Sequence, residues 1–310
     1  MNIQQLEYII AVDKYRHFAH AADECRITQP TLSMMIQKLE EELDVKIFDR
    51  TKHPVEPTAI GRQIISQAHV SLKQFRQIHY LVENEQQTVS GPFALGIIPT
   101  VATSLVPVLL QKQSEADIEL TLKECTTTDL VDRIFKGKLD GGLLAGPLNH
   151  PELIEHPVYY EKFYAYVSPQ DERIGEREID LDSIDINDLW LLENVHCLRG
   201  QIERLCQMKK NAAVSLPVRY ESGSIDTLMH IVDCNGGITI VPELHAMGLD
   251  EERQGNLRAF KNMTAVREIS LVVGRDYVRK NMLRLILQLV RDAVPKSMQN
   301  PALKEYTVDL

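Results

Sequence analysis

Residues 17–50 read HFAHAADECRITQPTLSMMIQKLEEELDVKIFDR, and this stretch decides the fold of the N-terminal region. Apolar residues recur at helical spacing in two runs, 18–25 and 29–43, which flank a short turn. Thr28 suits the N-cap of the second helix, and Pro30 suits its first turn. Two short helices joined by a tight turn predict a helix-turn-helix, a motif whose second helix enters the major groove of DNA.

A basic hairpin wing is predicted over residues 44–53, directly after the second helix. Hydroxyl and amide side chains of that helix suit base edges, and basic side chains of the wing suit phosphates. The candidate DNA-contacting residues are Gln29, Pro30, Thr31, Ser33, Met34, Gln37, Lys46, Arg50 and Lys52. Residues 1–62 hold eight Lys and Arg against ten Asp and Glu, so the basic groups must be segregated. On spacing alone, a small helical subdomain with a solvated charged face remains an alternative.

The composition of the whole chain excludes several classes of protein. The chain has 310 residues, a net charge of −10, 44% hydrophobic residues and 25% charged residues, which is ordinary for a globular protein of two or three domains. A polybasic nucleic-acid coat and a largely disordered chain are excluded. Five cysteines do not make a secreted disulfide scaffold, and we expect neither a signal peptide nor a membrane span. We therefore expect a cytoplasmic protein with reduced thiols.

After the wing, the hydrophobic pattern first predicts one long helix and then alternating strands and helices. Residues 59–89 predict one long amphipathic helix, which needs a partner surface, either a second subunit or its own domain. From residue 90 onward, strand and helix patterns alternate, which favours a parallel α/β sheet. Beyond about Pro295 we expect a loosely held tail.

Two of the five cysteines, Cys197 and Cys206, lie nine positions apart in one predicted helical segment. Cys197 lies at a predicted helix N-terminus beside basic residues, which favours the thiolate, the form that attacks a peroxide bond. Nine residues of helix span ~13.5 Å, whereas a disulfide needs Cα atoms within ~7 Å, so a bond between these cysteines requires the helix to unwind. The alternative is two unrelated cysteines, and buried small side chains are the expectation for Cys25, Cys125 and Cys234.

The N-terminal motifs resemble a known family. The pattern formed by the opening LEYIIAV, residues 17–50 and the segment PTAIG at 57–61 is similar to the winged helix-turn-helix of LysR-type transcriptional regulators. The resemblance implies an α/β protein with an N-terminal all-α winged helix-turn-helix, a long dimerising linker helix and a two-subdomain regulatory domain similar to periplasmic binding proteins. The implied divisions are the DNA-binding domain at 1–58, the linker helix at 59–89, the regulatory domain at 90–300, its subdomain I at about 90–162 and 268–300, and its subdomain II at about 163–267.

The regulatory half resembles the peroxide-sensing members of that family. The segments IPT at 98–100 and HCLRGQIERLC at 196–206 carry the resemblance. It implies that Cys197 reacts with peroxide, that Cys206 resolves the product into a disulfide, and that four residues line the peroxide pocket. These four residues are Thr100, Thr127, His196 and Arg199. The chain departs from the family pattern at Gly200, where an acidic residue is usual, and at Gln37, where a basic residue is common.

The function implied is a transcriptional regulator that senses hydrogen peroxide by reversible Cys197–Cys206 disulfide formation and controls antioxidant genes. The implied partners are a double-stranded DNA operator, hydrogen peroxide, RNA polymerase and further copies of the chain, as a dimer of dimers, with no cofactor, no metal and no membrane. One alternative is a regulator whose Thr100 and Thr127 hold a small anionic inducer, for which Cys206 is not needed. Another is a thiol enzyme such as a peroxidase or a cysteine hydrolase, which leaves the DNA-binding half unexplained. We therefore predict a regulator and not an enzyme.

Overall fold

The computed structural model describes residues 1–85, 89–112, 118–181, 184–185, 188–193, 197–205, 220, 222–261 and 265–308. The chain divides into two units, Met1–Thr88 with Phe135–Lys138, and Val89–Ile134 with Leu139–Leu310. Each unit is described by itself.

The first unit contains the predicted helix-turn-helix and the long helix. Its elements are α1 (Ile3–Tyr15), α2 (Phe18–Glu24), α3 (Gln29–Leu43), β1 (Phe48–Asp49), β2 (Glu56–Pro57) and α4 (Ala59–Glu85). The hydroxyl of Thr28 accepts a hydrogen bond from the Thr31 amide at 3.4 Å, so Thr28 is the N-cap of α3. Leu32, Ile36 and Leu39 are fully buried, because their spacing places them on one face of α3 against α1 and α2.

The second unit is built on a mixed sheet. Its strands are β3 (Pro92–Ile97), β4 (Glu119–Glu124), β5 (Gly141–Gly146), β6 (Leu153–Val167), β7 (Glu178–Ile179), β8 (Ile238–Pro242), β9 (Leu257–Phe260) and β10 (Val266–Gly274). The order is β4-β3-β5-β10-β6-β9-β7, and β8 also pairs with β6. The predicted parallel pairing holds for β3 with β4 and β5, whereas β10 runs antiparallel to both β5 and β6. The strand β10 is the last in the sequence but lies between β5 and β6. The chain therefore returns late in the sequence to pair with the strands formed by residues 92–146.

Helices pack on this sheet, and the second unit has two hydrophobic cores. The helices are α5 (Pro99–Lys112), α6 (Thr127–Phe135), α7 (Cys197–Leu205), α8 (Ile225–Asn235), α9 (Glu243–Met247), α10 (Glu251–Gln254) and α11 (Lys280–Asp292). The first core contains Phe93 and Tyr159, and the second contains Phe163 and Met229. The strand β6 contributes to both cores, because its Tyr159 lies in the first and its Phe163 in the second. The subdomain limits inferred from the sequence stay a prediction.

Residues 296–308 correct one expectation, since this described part of the tail is packed against the second unit and not loosely held. Two 3-10 helices, Lys296–Gln299 and Pro301–Tyr306, follow α11. Met298 is buried in the first core, and Thr307 forms a parallel bridge with Val266. Periodicity could not reveal these contacts, because each one joins the tail to residues far away in the sequence.

A search of the described helices finds none with both the length and the apolar composition needed to cross a membrane. Likewise, the described residues contain no group of three or more His, Cys, Asp or Glu side chains arranged to hold a metal ion.

Candidate functional site

Cys197 is the first residue of α7 and lies between the two cores of the second unit. Its side chain is half-buried and packs against the first core. The next apolar residues of the same helix, Leu198, Ile202 and Leu205, are buried in the second core. The register of α7 therefore fixes where the Cys197 sulfur points, because a rotation of the helix would expose this apolar face.

The Cys197 sulfur is in hydrogen-bond contact with the side chain of Thr127. The distance between Thr127 Oγ1 and Cys197 Sγ is 2.8 Å, and either atom can be the donor. Thr127 is the first residue of α6, so the N-termini of α6 and α7 meet at the sulfur. A hydroxyl donor and two helix N-termini all favour negative charge at this point. The arrangement places one hydroxyl and two helix N-termini around a single sulfur atom.

Thr100, the second predicted pocket threonine, is held by a buried arginine. The Arg267 guanidinium donates from Nη1 to Thr100 Oγ1 at 2.9 Å and from Nη2 to the Thr100 carbonyl at 3.1 Å. Arg267 Nε also donates to Glu161 Oε1 at 2.8 Å, and the two charged side chains are 1% and 0% exposed. The Leu244 amide donates to the other Glu161 oxygen at 3.0 Å. A buried ion pair of this kind is stable only when such additional hydrogen bonds satisfy it.

Sequence reasoning missed Arg267 and Glu161. They are direct neighbours in the antiparallel register of β10 and β6, although 106 residues separate them in the chain. The available signal was the pair Arg267-Glu268 inside an otherwise apolar strand pattern, because charged residues are seldom buried unless they are paired. The partner itself could not be found without the strand register.

The other residues predicted for the peroxide pocket either bond elsewhere or lie outside the described residues. Arg199 donates to its helical neighbour Glu203 at 2.8 Å and to the Leu192 carbonyl at 2.9 Å, so its recorded bonds do not reach Cys197. His196 and Cys206 lie outside the described residues. Of the predicted set, the structure brings Thr127 against Cys197, and it ties Thr100 to Arg267.

Two other cysteines are in environments that oppose ionisation. Burial raises the pKa of the Cys125 thiol, and the nearby Asp129 carboxylate raises it further. Burial also raises the pKa of Cys25, with added contributions from Glu24 and Glu7. A higher thiol pKa lowers the thiolate fraction and hence the rate of attack on a peroxide.

The N-terminal half of α3 presents the predicted base-contacting side chains. Gln29, Pro30, Thr31, Met34 and Gln37 are exposed, and Ser33 is half-buried. Exposure of polar side chains at the start of the second helix is what major-groove contact needs. The Gln37 amide donates to Glu41 at 2.9 Å in the free protein, so a base contact by Gln37 has to replace that bond.

The wing is tied to α3 by Glu40, a buried carboxylate that sequence reasoning did not single out. Glu40 Oε1 accepts from the Ile47 amide at 2.8 Å and the Phe48 amide at 3.2 Å. Its second oxygen lies 3.3 Å from Arg50 and 3.8 Å from Lys46, and Arg50 also donates to Ser33 at 3.0 Å. Two of the predicted basic wing residues, Lys46 and Arg50, therefore sit beside the predicted recognition helix at Glu40, whereas Lys52 pairs with Glu56 at 2.6 Å.

Comparison with known proteins identifies the family. Residues 3–62 match the family described as bacterial regulatory helix-turn-helix protein, lysR family, and residues 86–295 match the LysR substrate binding domain. The chain belongs to the LysR family of transcriptional regulators. Members of this family are DNA-binding regulators and not enzymes.

Among its relatives, the chain is similar to OxyR proteins. It is 33% identical over 246 residues to the hydrogen peroxide-inducible genes activator of Haemophilus influenzae, covering 79% of this chain and 81% of the relative. It is also 33% identical over 258 residues to the DNA-binding transcriptional dual regulator OxyR of Escherichia coli K12, covering 82% of this chain and 83% of the relative.

Solved OxyR structures share the fold. A full-length OxyR variant from Pseudomonas aeruginosa superposes with a TM-score of 0.75 at 26% identity, covering 94% of this chain and 98% of that one. A hydrogen peroxide-bound OxyR mutant from Corynebacterium glutamicum has a TM-score of 0.63 at 27% identity, covering 94% and 92%. The chain is thus an OxyR-like member of the LysR family.

Proposed function

We propose that this LysR-family regulator senses hydrogen peroxide through Cys197 and stores the signal as a Cys197–Cys206 disulfide. The observation that carries the proposal is the 2.8 Å contact between Thr127 Oγ1 and Cys197 Sγ at the meeting of two helix N-termini. The relatives of the chain include hydrogen peroxide-inducible genes activators, which supports the same substrate.

The proposed chemistry has two balanced steps. In the first, the Cys197 thiolate attacks one oxygen of hydrogen peroxide, the O–O bond breaks, and Cys197 becomes a sulfenic acid while the released hydroxide takes a proton and leaves as water. In the second, Cys206 attacks the Cys197 sulfur, the S–O bond breaks, and a second water leaves. Two thiols thereby lose two electrons and two protons to one peroxide, which yields one disulfide and two waters.

The second step, formation of the disulfide, requires the helix α7 to unwind. Residues 197–205 are helical, and three apolar side chains of α7 are buried in the second core. Leu205 lies eight positions, or ~12 Å of helix axis, from Cys197. The next Cα is only ~3.8 Å from that of Leu205, so it cannot come within the ~7 Å that a disulfide needs while α7 is helical. One covalent bond would therefore select between a helical and an unwound form of this segment, which is the property of a switch.

We further propose how the signal is read out. The DNA-binding domain at 1–58 would bind an operator through α3 and the wing, the linker helix at 59–89 would pair two subunits, and the regulatory domain at 90–300 would carry the switch. Unwinding of α7 would alter contacts between regulatory domains in a dimer of dimers, and RNA polymerase would respond to the new arrangement on DNA. The proposed setting is the cytoplasm, where the operator DNA lies and thiols are kept reduced.

The decisive experiment treats the reduced protein with near-stoichiometric hydrogen peroxide and maps disulfides by peptide mass spectrometry under non-reducing conditions. We expect a Cys197–Cys206 link in the wild type and a sulfenic acid at Cys197 in the Cys206→Ser variant. Cys125→Ser serves as the matched control and should leave the link intact. Free thiols at both Cys197 and Cys206 after this dose would refute the proposal and favour a regulator that binds a small-molecule inducer.

A further inference from the structure

The last described residues of the chain are built into the second unit. The 3-10 helix Pro301–Tyr306 begins at Asn300, whose side chain accepts from the Ala302 amide at 3.1 Å. Beyond it, Thr307 pairs with Val266 in a parallel bridge, and the Val308 amide donates to the Val266 carbonyl at 2.9 Å. The C-terminal segment 301–308 is therefore joined to the start of β10 by one β-bridge and one backbone hydrogen bond.

This segment also contacts the helix that carries Cys197. Gln201 Nε2 donates to the Val308 carbonyl at 3.2 Å, a contact between residues 107 positions apart. Gln201 lies one turn after Cys197 on α7 and is 0% exposed. The Val308 side chain packs against the second core, which also holds Leu198 and Ile202. The C-terminal segment thus bridges β10 and the inner face of α7.

Two buried polar atoms where the C-terminal segment meets α7 and β10 lack hydrogen-bond partners among the described residues. Gln201 Oε1 and Thr307 Oγ1 are both buried and have no hydrogen-bond partner among the described residues. Buried polar atoms without partners cost free energy, so this junction holds less firmly than a fully paired one. A junction of that kind suits a contact that has to be released.

We propose that the C-terminal segment 301–308 is a strap that holds α7 in its helical form and thereby sets how readily the Cys197–Cys206 disulfide forms. The inference rests on the proposed function and adds a regulatory element to it. Every contact that exists only while α7 is helical stabilises the dithiol form relative to the disulfide. The strap therefore acts on the second chemical step, in which α7 unwinds, and not on the attack of Cys197 on peroxide.

The test compares two truncated chains. A chain that ends after Tyr306 lacks both Thr307 and Val308, whereas a chain that ends after Val308 keeps the bridge to Val266 and an oxygen for Gln201. We expect the first truncation to move the dithiol–disulfide equilibrium about tenfold toward the disulfide, or about 30 mV for a two-electron couple. The second truncation should behave as the full chain. The full-length Val308→Pro variant loses the amide donor to Val266 and the valine packing on the second core but keeps the carbonyl that Gln201 binds, so it should move the equilibrium in the same direction by less.

Two further measurements separate the strap from the switch itself. In a Cys206→Ser background, sulfenic acid formation at Cys197 should proceed at the same rate with and without Thr307 and Val308. Amide hydrogen exchange of the reduced protein should show faster exchange in α7 for the chain that ends after Tyr306 and not for the chain that ends after Val308, because local opening of the helix becomes easier without the strap. This measurement needs no peroxide and is independent of the disulfide.

The outcomes decide between the two proposals. Unchanged exchange in α7, or an unchanged redox equilibrium despite faster exchange, would overturn the strap while leaving the peroxide switch intact. A full-length protein that forms no Cys197–Cys206 disulfide would overturn the proposed function, and with it the redox role of the strap. Faster exchange together with a shifted equilibrium supports the strap.

Discussion

At the scale of single residues, the chemistry of the site depends on how Thr127 and Cys197 are held. Each begins a helix, and the 2.8 Å contact joins the two helix ends. Hydrogen bonds to charged groups contribute about 1.5–3 kcal/mol, which corresponds to roughly tenfold or more in a rate if the bond strengthens in the transition state. The Thr127 hydroxyl is therefore the side-chain group with the largest expected effect on the first step.

Replacing Thr127 by valine keeps the shape of the side chain and removes its hydroxyl. We expect the rate constant for the reaction of Cys197 with hydrogen peroxide to fall by about tenfold or more, because the negative charge on sulfur loses its hydroxyl donor. Stopped-flow kinetics in the Cys206→Ser background measures this step alone. Thr127→Ser restores a hydroxyl and should recover most of the rate, whereas a Thr127→Val protein as fast as the wild type would contradict the assignment.

His245 predicts a pH dependence of stability. Its side chain is 5% exposed, and its Nε2 lies 3.2 Å from Asp226 Oδ1 without hydrogen-bond geometry. Burial lowers the pKa of His245, with Asp226 opposing the shift and Arg267 adding to it. The unfolded chain therefore takes up a proton first as the pH falls below the ordinary histidine value of about 6.5, so this group favours unfolding at low pH.

The corresponding measurement is the thermal unfolding midpoint of the wild type and of His245→Gln at pH 7.5 and pH 5.5. The wild type should lose more stability on acidification than the variant, because the variant lacks the group that is protonated on unfolding. Equal losses in the two proteins would show that His245 is not neutralised by folding.

At the scale of elements, the proposed switch depends on the stability of α7. Gly200 lies inside this helix, and a Cβ placed there would meet no atom within 4 Å. Glycine lowers the stability of a helix interior by about 1 kcal/mol relative to alanine. The glycine therefore weakens α7 without any packing requirement for its presence.

Gly200→Ala should shift the dithiol–disulfide equilibrium about fivefold toward the dithiol, as expected from about 1 kcal/mol of added helix stability. Titration against a thiol–disulfide redox buffer measures the change. Gly175→Ala is a matched control, because a Cβ there also meets no atom within 4 Å and the residue lies outside α7. An unaltered equilibrium in Gly200→Ala would mean that disulfide formation does not unwind the helix.

At the scale of the whole molecule, α4 exposes apolar side chains that a single chain does not cover. Phe75, Ile78, Leu81 and Val82 are 43%, 61%, 55% and 54% exposed. A contiguous apolar stripe of this kind marks an association surface. It supports the proposed pairing of two subunits through the linker helix.

Ile78→Asp should therefore weaken or abolish the proposed pairing of two subunits through α4, because a charged carboxylate would be buried in the interface. Sedimentation velocity measures the change in mass, and operator affinity should fall with it. Arg76→Asp is the matched control, because Arg76 is exposed and lies about 160° around the helix from Ile78, so an aspartate there should leave the assembly in place. If both variants sediment alike, the exposed stripe is not the pairing surface.

The sequence predicted those parts of the molecule that depend on local patterns. The start of α3 follows from the Thr28 cap, and the start of α7 at Cys197 follows from the helical spacing after it. The ion pair of Glu161 with Arg267 could not be predicted, because it depends on the register between two strands more than a hundred residues apart. The C-terminal segment was missed for the same reason, since its partners Val266 and Gln201 are remote in the chain.

The long strand β6 has a consequence for synthesis of the chain. Its second half pairs with β8, β9 and the start of β10, and the first of these partners, Ile238, is made 71 residues after Val167. At roughly 5–20 residues per second, a ribosome needs about 4–14 s to reach that partner. During this interval the nascent chain carries an apolar strand with unpaired edges, which is a template for aggregation. Production of this regulator should therefore depend on holding chaperones at the ribosome more than the production of its N-terminal helical unit alone.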